Sequence, residues 1–189
     1  MEECKMSYAQ EHNVSVYLTE EQINKRIAEI GAEITERFKG ESVYVICILR
    51  GSVFFATELA KRIDLPTVLD FMTVSSYGAN TESSGVINVK KDLEGSIEGQ
   101  NVIVVEDIID TGHTLSRLLQ LFESRNPKTL TLCTLLDKPE RRVVKDITVD
   151  YTGFVVPDKF IVGYGRLRNL WSQSKPYPTI NLSGTTNPV

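Results

Sequence analysis

One short segment of the chain carries side chains whose types and spacing could do chemistry. The apolar run Val102–Val105 is followed at once by Glu106 and Asp107, and a third carboxylate, Asp110, comes three residues later. Burying three anions together would be very costly without compensating charges or hydrogen bonds. We therefore expect these acids to face a solvated cleft, where a metal ion or sugar hydroxyl groups can satisfy them.

The residues that begin with the third acid predict a phosphate site. Asp110, Thr111, Gly112, His113 and Thr114 form a turn that opens a helix, so free backbone amides and two hydroxyl groups lie together. A strand-to-helix loop with capping acids would explain any one of these residues. The whole set favours a site for a phosphate group, beside acids that a metal ion or sugar hydroxyl groups can satisfy.

Strands and helices alternate around this segment, which predicts an α/β fold. Thr19 and Gln22 have the spacing of a capping box, and apolar residues at steps of three and four then predict a helix that ends near Gly40. Further helices are predicted over residues 53–63 and 114–125. Strands are predicted over residues 42–49, 67–77, 86–89, 101–105, 129–136, 151–156 and 160–163. Because most of these strands are apolar throughout, we expect a mainly parallel sheet covered on both faces, with ligands at the carboxyl ends of the strands.

Composition limits the classes of protein that this chain can belong to. Its 189 residues are 41% hydrophobic and 24% charged, as in one globular domain. The net charge of −4 argues against a nucleic-acid partner, and the apolar runs are too short to span a membrane. The N-terminus has no secretory pattern, and three widely spaced cysteines indicate a reduced, cytoplasmic setting.

The segment Val102–Leu115 resembles the phosphoribosyl-pyrophosphate (PRPP) signature of the type I phosphoribosyltransferases. Other stretches resemble one branch of that family, the hypoxanthine-guanine phosphoribosyltransferases: Leu49–Ser52, Ser75–Gly78, Leu135–Lys138 and Val156–Gly165. The resemblance covers roughly residues 10–165. It implies a Rossmann-like, mainly parallel sheet flanked by helices, with a core over about residues 38–150. A small hood would come from about residues 1–18 and 151–189.

The resemblance also implies an activity, the transfer of the 5-phosphoribosyl group of PRPP to hypoxanthine or guanine in purine salvage. Asp110 would be the general base that takes the N7 proton of the purine. Glu106 and Asp107 would hold the ribose hydroxyls, directly or through Mg²⁺ bound to PRPP. The 5′-phosphate would lie on Asp110, Thr111, Gly112, His113 and Thr114, with His113 as a spacer.

The remaining roles that the resemblance implies lie on other turns. Arg50 and Gly51 would meet the pyrophosphate, after a Leu49–Arg50 peptide that is often cis in the family. Ser76 and Tyr77 would begin a loop that closes over the reacting centre. The purine would be bound by three residues: Lys138 donating to its 6-oxygen, Phe160 stacking on it, and the Ile161 backbone contacting its exocyclic position. A homodimer or homotetramer is the usual assembly.

The sequence departs from the family pattern after Gly165. The family continues with an apolar residue, an Asp that helps to bind a second Mg²⁺, and an aromatic residue; here Arg166, Leu167 and Arg168 follow. Residues 166–189 hold three cations and no acid, and the tail Asn169–Val189 departs from the usual final strand. Divergence and an altered reading frame are the two explanations. Either way, Leu167 cannot bind metal, so we expect weak metal binding and reduced turnover.

Three other functions remain open at this stage. A related enzyme could use xanthine or another base, although Lys138 and Phe160 argue against adenine and orotate. A nucleic-acid-binding regulator could keep the PRPP loop, but the intact Asp110 and the acidic net charge argue against it. A catalytically weak nucleotide sensor is favoured only by the unusual tail.

Overall fold

The computed structural model describes residues 14–75, 87–159, 161–164 and 180–183. Within these ranges the chain order of elements is β1 (Val14–Leu18), α1 (Glu20–Arg37), β2 (Val43–Leu49), α2 (Val53–Ala60), β3 (Thr67–Ser75), β4 (Asn88–Lys91), β5 (Asn101–Ile109), α3 (His113–Glu123), β6 (Thr129–Asp137), a 3₁₀ turn (Pro139–Arg141), β7 (Tyr151–Val155), β8 (Ile161–Gly163) and β9 (Ile180–Ser183).

Six strands form the main sheet, in the order β4-β3-β2-β5-β6-β7. The four pairings from β3 to β7 are parallel, and only the edge strand β4 runs antiparallel to its neighbour β3. This architecture confirms the predicted α/β fold. It also brings the carboxyl ends of β2, β5 and β6 to one edge of the sheet.

The first helix forms as the sequence predicts. The Thr19 hydroxyl accepts from the Gln22 amide at 3.2 Å, and the Gln22 side chain accepts from the Thr19 amide at 2.9 Å. The apolar residues of its predicted face are buried, and four of them are fully inaccessible: Ile23, Ile27, Ile30 and Ile34. That face packs on the main sheet, so α1 covers one face of the strands that carry the site.

Alternate residues of the central strands pack into two separate hydrophobic cores, one on each face of the sheet. Val45, Cys47 and Ile103 lie in a cluster with residues of α1 and α2. Ile46, Val104 and their neighbours lie in a second cluster with Leu115, Leu118 and Phe122 of α3. The strands are therefore buried on both faces, which is why they read as unbroken apolar runs. Cys47 and Cys133 are buried free thiols inside these strands.

A second, three-stranded antiparallel sheet has the order β1-β9-β8. Strand β9 lies in the unusual tail, a segment over which the sequence analysis lists no strand. Leu18, Ile161 and Ile180 from this sheet join the same core cluster as α1 and α2. Strand β7 follows residue 150 but pairs with β6 in the main sheet.

Several element boundaries differ from those predicted. Helix α2 ends at Ala60, three residues early, and the chain then turns so that the Asp64 amide donates to the Thr35 hydroxyl. Helix α3 ends at Glu123, before Asn126, which has a positive φ of 52°. Strand β4 begins two residues late, at Asn88. In the part of the chain that the structure describes, no helix has the length and apolar character to cross a bilayer.

Candidate active site

The acidic segment lies within a strand, because β5 continues to Ile109. The sequence analysis ended this strand at Val105, and that boundary is wrong. Pairing with β2 stops at Cys47 and Val105, but pairing with β6 continues to Ile109 and Asp137. Past Val105, β5 therefore has a strand neighbour on one side only among the described residues. The burial pattern changes at that point, since Glu106 and Asp107 are half-buried whereas the preceding five residues are buried.

The turn that follows β2 occupies the side of β5 that β2 leaves open. The Leu49–Arg50 peptide is cis, and the Ser52 hydroxyl, fully buried, donates to the Ile48 carbonyl. Gly51 approaches the acids so closely that a Cβ built on it would lie 2.1 Å from Asp107 Oδ2. The structure thus brings Arg50 and Gly51 to the same edge as Glu106 and Asp107.

Cys47 lies beneath this turn and does not act as a reactive thiol. Burial raises its pKa to about 11, and the nearby Glu106 and Asp107 charges act in the same direction. Its Sγ lies 3.4 Å from the Ser52 hydroxyl, whose hydrogen bond acts in the opposite direction and lowers the pKa. The thiol therefore stays protonated near neutral pH and serves as packing under the acids.

The turn between β5 and α3 carries the predicted phosphate residues. Gly112 has a φ of +85° and stands at the start of α3, which begins at His113, one residue before the predicted start. In the described part of the chain, no side chain caps the helix there. A Cβ on Gly112 would lie 2.7 Å from the Ile147 side chain, so both conformation and space require glycine. His113 is exposed and lines a surface cavity of about 700 Å³ with Arg117 and Gln120.

Lys138 follows β6 and lies beside the end of β5, because its amide donates to the Ile109 carbonyl at 3.0 Å. Lys138 is not a surface lysine, since only 7% of it is exposed. Its ammonium group donates to the Lys159 carbonyl at 2.6 Å and lies 3.7 Å from Asp158. Lys138 is therefore held at the same edge as Asp110.

Arg141 is a residue of this edge that the sequence analysis missed. Its Nε lies 2.7 Å from Asp110 Oδ1, and its Nη1 lies 3.3 Å from Asp158. The contact is a close ion pair between two partly exposed side chains. The Asp110 charge is the main cause of a raised pKa at Arg141. The only signal in the sequence is an arginine pair three residues after Lys138.

The remaining predicted residues fall in two groups. Ile161 lies in β8, and its side chain packs in the core, so only its backbone remains for a ligand. Ser76, Tyr77 and Phe160 lie outside the described residues, as does Leu167. The structure thus brings together the residues from β2, β5 and β6.

Residues 13–169 match the family model for the phosphoribosyl transferase domain. This match covers most of the chain, and the fold and the acidic strand end agree with it, so the chain belongs to the phosphoribosyltransferase family. The acidic end of β5 and the turn that follows it form the segment on which the sequence resemblance to this family rests.

The relatives narrow the similarity to one branch of the family. The chain is 46% identical over 156 residues to a hypoxanthine phosphoribosyltransferase of Salmonella typhimurium, covering 82% of this chain and 87% of that protein. It is 43% identical over 180 residues to a hypoxanthine-guanine phosphoribosyltransferase of Mycobacterium avium, covering 92% and 86% of the two chains. A crystal structure of a hypoxanthine phosphoribosyltransferase from Staphylococcus aureus superposes with a TM-score of 0.82 at 43% identity, covering 89% and 90%.

Proposed function

We propose that this enzyme transfers the 5-phosphoribosyl group of PRPP to hypoxanthine or guanine and releases pyrophosphate. The observation that carries the proposal is the pairing of β5 with β6, which sets Asp110 beside Lys138. An ammonium group has donors only, so it suits the 6-oxo acceptor of these purines and not the 6-amino group of adenine. A carboxylate beside it can accept the N7 proton as the base–ribose bond forms.

Most of the other proposed roles belong to residues that lie at the same edge of the sheet, where β2 and β5 end. Glu106 and Asp107 bind the ribose hydroxyls. The amides from Asp110 to Thr114, with the hydroxyls of Thr111 and Thr114, bind the 5′-phosphate at the start of α3. Arg50 and the Gly51 amide bind the pyrophosphate, which leaves with negative charge while the sugar develops positive charge. Phe160 and the Ile161 backbone complete the purine site, and the loop from Ser76 and Tyr77 excludes water.

The donor set suits Mg²⁺ that arrives with PRPP. Mg²⁺ binds through one or two carboxylates together with substrate oxygens, and Glu106 and Asp107 offer two adjacent carboxylates at a half-buried strand end. Among the described residues, no group of three or more His, Cys, Asp or Glu side chains could hold a metal ion. When bound, the ion would neutralise charge on the pyrophosphate; the two carboxylates would orient it against the ribose.

Pyrophosphate release separates this proposal from its alternatives. The protein is incubated with PRPP, Mg²⁺ and one base at a time: hypoxanthine, guanine, xanthine or adenine. We expect release with hypoxanthine or guanine, whereas activity with adenine alone would overturn the assignment of Lys138. Asp110→Asn should lower kcat by about 10²-fold or more. A rate within about threefold of the wild type would remove Asp110 as the base.

We also propose that the enzyme assembles as a homodimer or homotetramer, as the family resemblance implies. Light scattering of the purified protein measures this directly. A monomer at the concentration of the activity assay would contradict it.

A further inference from the structure

Arg141 is a charged residue of the site edge to which no role has yet been given. We propose that Arg141 is a positioning residue that holds the Asp110 carboxylate for proton transfer, with Asp158 holding Arg141 from its other side. This inference rests on the proposed function, because it assigns a partner to the proposed base.

The backbone fixes Arg141 opposite Asp110. On one side of the pair, the Lys138 amide donates to the Ile109 carbonyl at 3.0 Å. On the other side, the Val143 and Val144 amides donate to the Thr111 carbonyl at 3.0 and 3.1 Å. The residues on either side of Asp110 are thus bonded to segments on either side of Arg141. Main-chain hydrogen bonds thus hold the backbone of the Arg141 turn close to the backbone of Asp110.

A further ion pair anchors the same turn. Arg142, the next residue, pairs with Asp137, the last residue of β6, and both side chains are largely buried. The Arg141 and Arg142 amides also donate to the carbonyls of Lys138 and Pro139 within the turn. Arg142 therefore ties the turn to the end of β6, and Arg141 contacts Asp110 from the same turn.

Arg141 also links the two groups proposed to contact the purine. Its guanidinium lies 2.7 Å from Asp110 and 3.3 Å from Asp158, and Asp158 lies 3.7 Å from the Lys138 ammonium. Charges therefore alternate along the series Asp110, Arg141, Asp158 and Lys138. Each cation in this series has an anion beside it. The Asp110 carboxylate and the Lys138 ammonium are therefore held at a fixed separation before the purine binds.

The contact leaves part of the Asp110 carboxylate available. Asp110 Oδ1 is inaccessible to solvent beside Arg141, yet the side chain as a whole is 39% exposed. The exposed surface therefore belongs to its other atoms, including Oδ2. A base that takes a proton needs one free oxygen in a fixed direction. Arg141 supplies that direction by holding the first oxygen.

The test uses steady-state kinetics of Arg141→Gln, Arg141→Lys and the double variant Asp110→Asn/Arg141→Gln. We expect Arg141→Gln to lower kcat by about tenfold, a fraction of what a general base contributes, and to leave the KM for PRPP within about twofold. Arg141→Lys keeps the charge and should recover most of the rate. If Arg141 acts through Asp110, the double variant should be no slower than Asp110→Asn.

Arg125→Gln is the matched control, because Arg125 forms a partly exposed ion pair with Asp92 away from this edge. Its kcat should equal that of the wild type. Equal losses in Arg141→Gln and Arg141→Lys, or a double variant slower than Asp110→Asn by the full Arg141→Gln factor, would overturn the proposal.

Asp158→Asn keeps the proposal testable if Arg141→Gln does not fold, since Asp158 is 44% exposed. It should lower kcat by about threefold with the KM for PRPP unchanged, because Arg141 loses one of its two anchors. A wild-type rate for Asp158→Asn would count against the proposal. A wild-type protein that is inactive with every base overturns both proposals, whereas an active wild type with an unaffected Arg141→Gln overturns only this one.

Discussion

Gly51→Ala should greatly lower the activity of this enzyme and only slightly lower its stability. A Cβ at this position would lie 2.1 Å from Asp107 Oδ2 and 2.6 Å from Cγ, whereas Cβ contacts below 3.0 Å essentially do not occur. The carboxylate or the turn must therefore move by at least 0.9 Å, the difference between 3.0 and 2.1 Å. A displacement of about 1 Å at a reacting centre can cost about 10²-fold in rate, and we expect a loss of that order in kcat/KM for PRPP.

The stability cost of the same substitution should be small. Asp107 is half-buried, and its carboxylate is the far end of a side chain that can rotate, although rotation breaks the bond from the Ile108 amide to Oδ1. We expect the free energy of unfolding to fall by about 1 kcal/mol, the lower end for overpacking. Urea unfolding followed by circular dichroism measures it.

Gly99→Ala is the control, because it should lower stability and leave activity unchanged. Gly99 has a φ of +70° with nothing within 4 Å of an added Cβ, so the substitution strains the backbone by about 1–2 kcal/mol without contacting the site. Its kcat/KM should equal that of the wild type. If Gly51→Ala keeps kcat/KM for PRPP within about threefold of the wild type, the close approach of turn and acid has no role in catalysis.

Three further changes test other parts of the molecule. Burial raises the pKa of Asp70, but hydrogen bonds from Tyr44 and backbone amides outweigh it and lower the pKa below its usual value. The stabilisation is therefore present above the unfolded pKa and lost as pH falls through the folded one, so the stability deficit of Asp70→Asn in urea should be larger at pH 7 than at about pH 3. Thr19→Ala should cost about 1 kcal/mol in urea unfolding by removing the capping box, with activity unchanged. Leu167→Asp should raise the Mg²⁺-dependent rate, and no gain in a Mg²⁺ titration would refute the inferred loss of a metal ligand.

Local signals predicted the elements that local interactions build. Thr19 and Gln22 satisfy each other within one turn of helix, and the apolar stripe of α1 needs only a sheet to pack against. The acids were placed at a sheet edge because parallel strands end together. Even the turn proposed to bind phosphate follows from short-range features, since Gly112 with its positive φ stands between a strand and a helix.

Long-range contacts account for what the sequence could not predict. Strand β5 continues beyond Val105 because β6 still pairs with it there. The residue types of β5 alone do not predict that pairing. The burial of Lys138, the approach of Gly51 to Asp107 and the ion pair of Arg141 with Asp110 each join segments that are distant in the chain. The separation of such pairs is set by sheet register and by turn geometry, which composition and periodicity do not specify.

The register of β5 against β6 is itself part of the proposed chemistry. Ile109 is opposite Asp137, so the next residue of each strand, Asp110 and Lys138, leaves the sheet at the same level. A slip of one residue would turn every side chain of one strand to the other face. The two cores on opposite faces of the sheet prevent that slip, because buried apolar residues of both strands would have to exchange sides. Packing far from the edge therefore fixes the distance between Asp110, the proposed base, and Lys138, the proposed donor to the purine 6-oxygen.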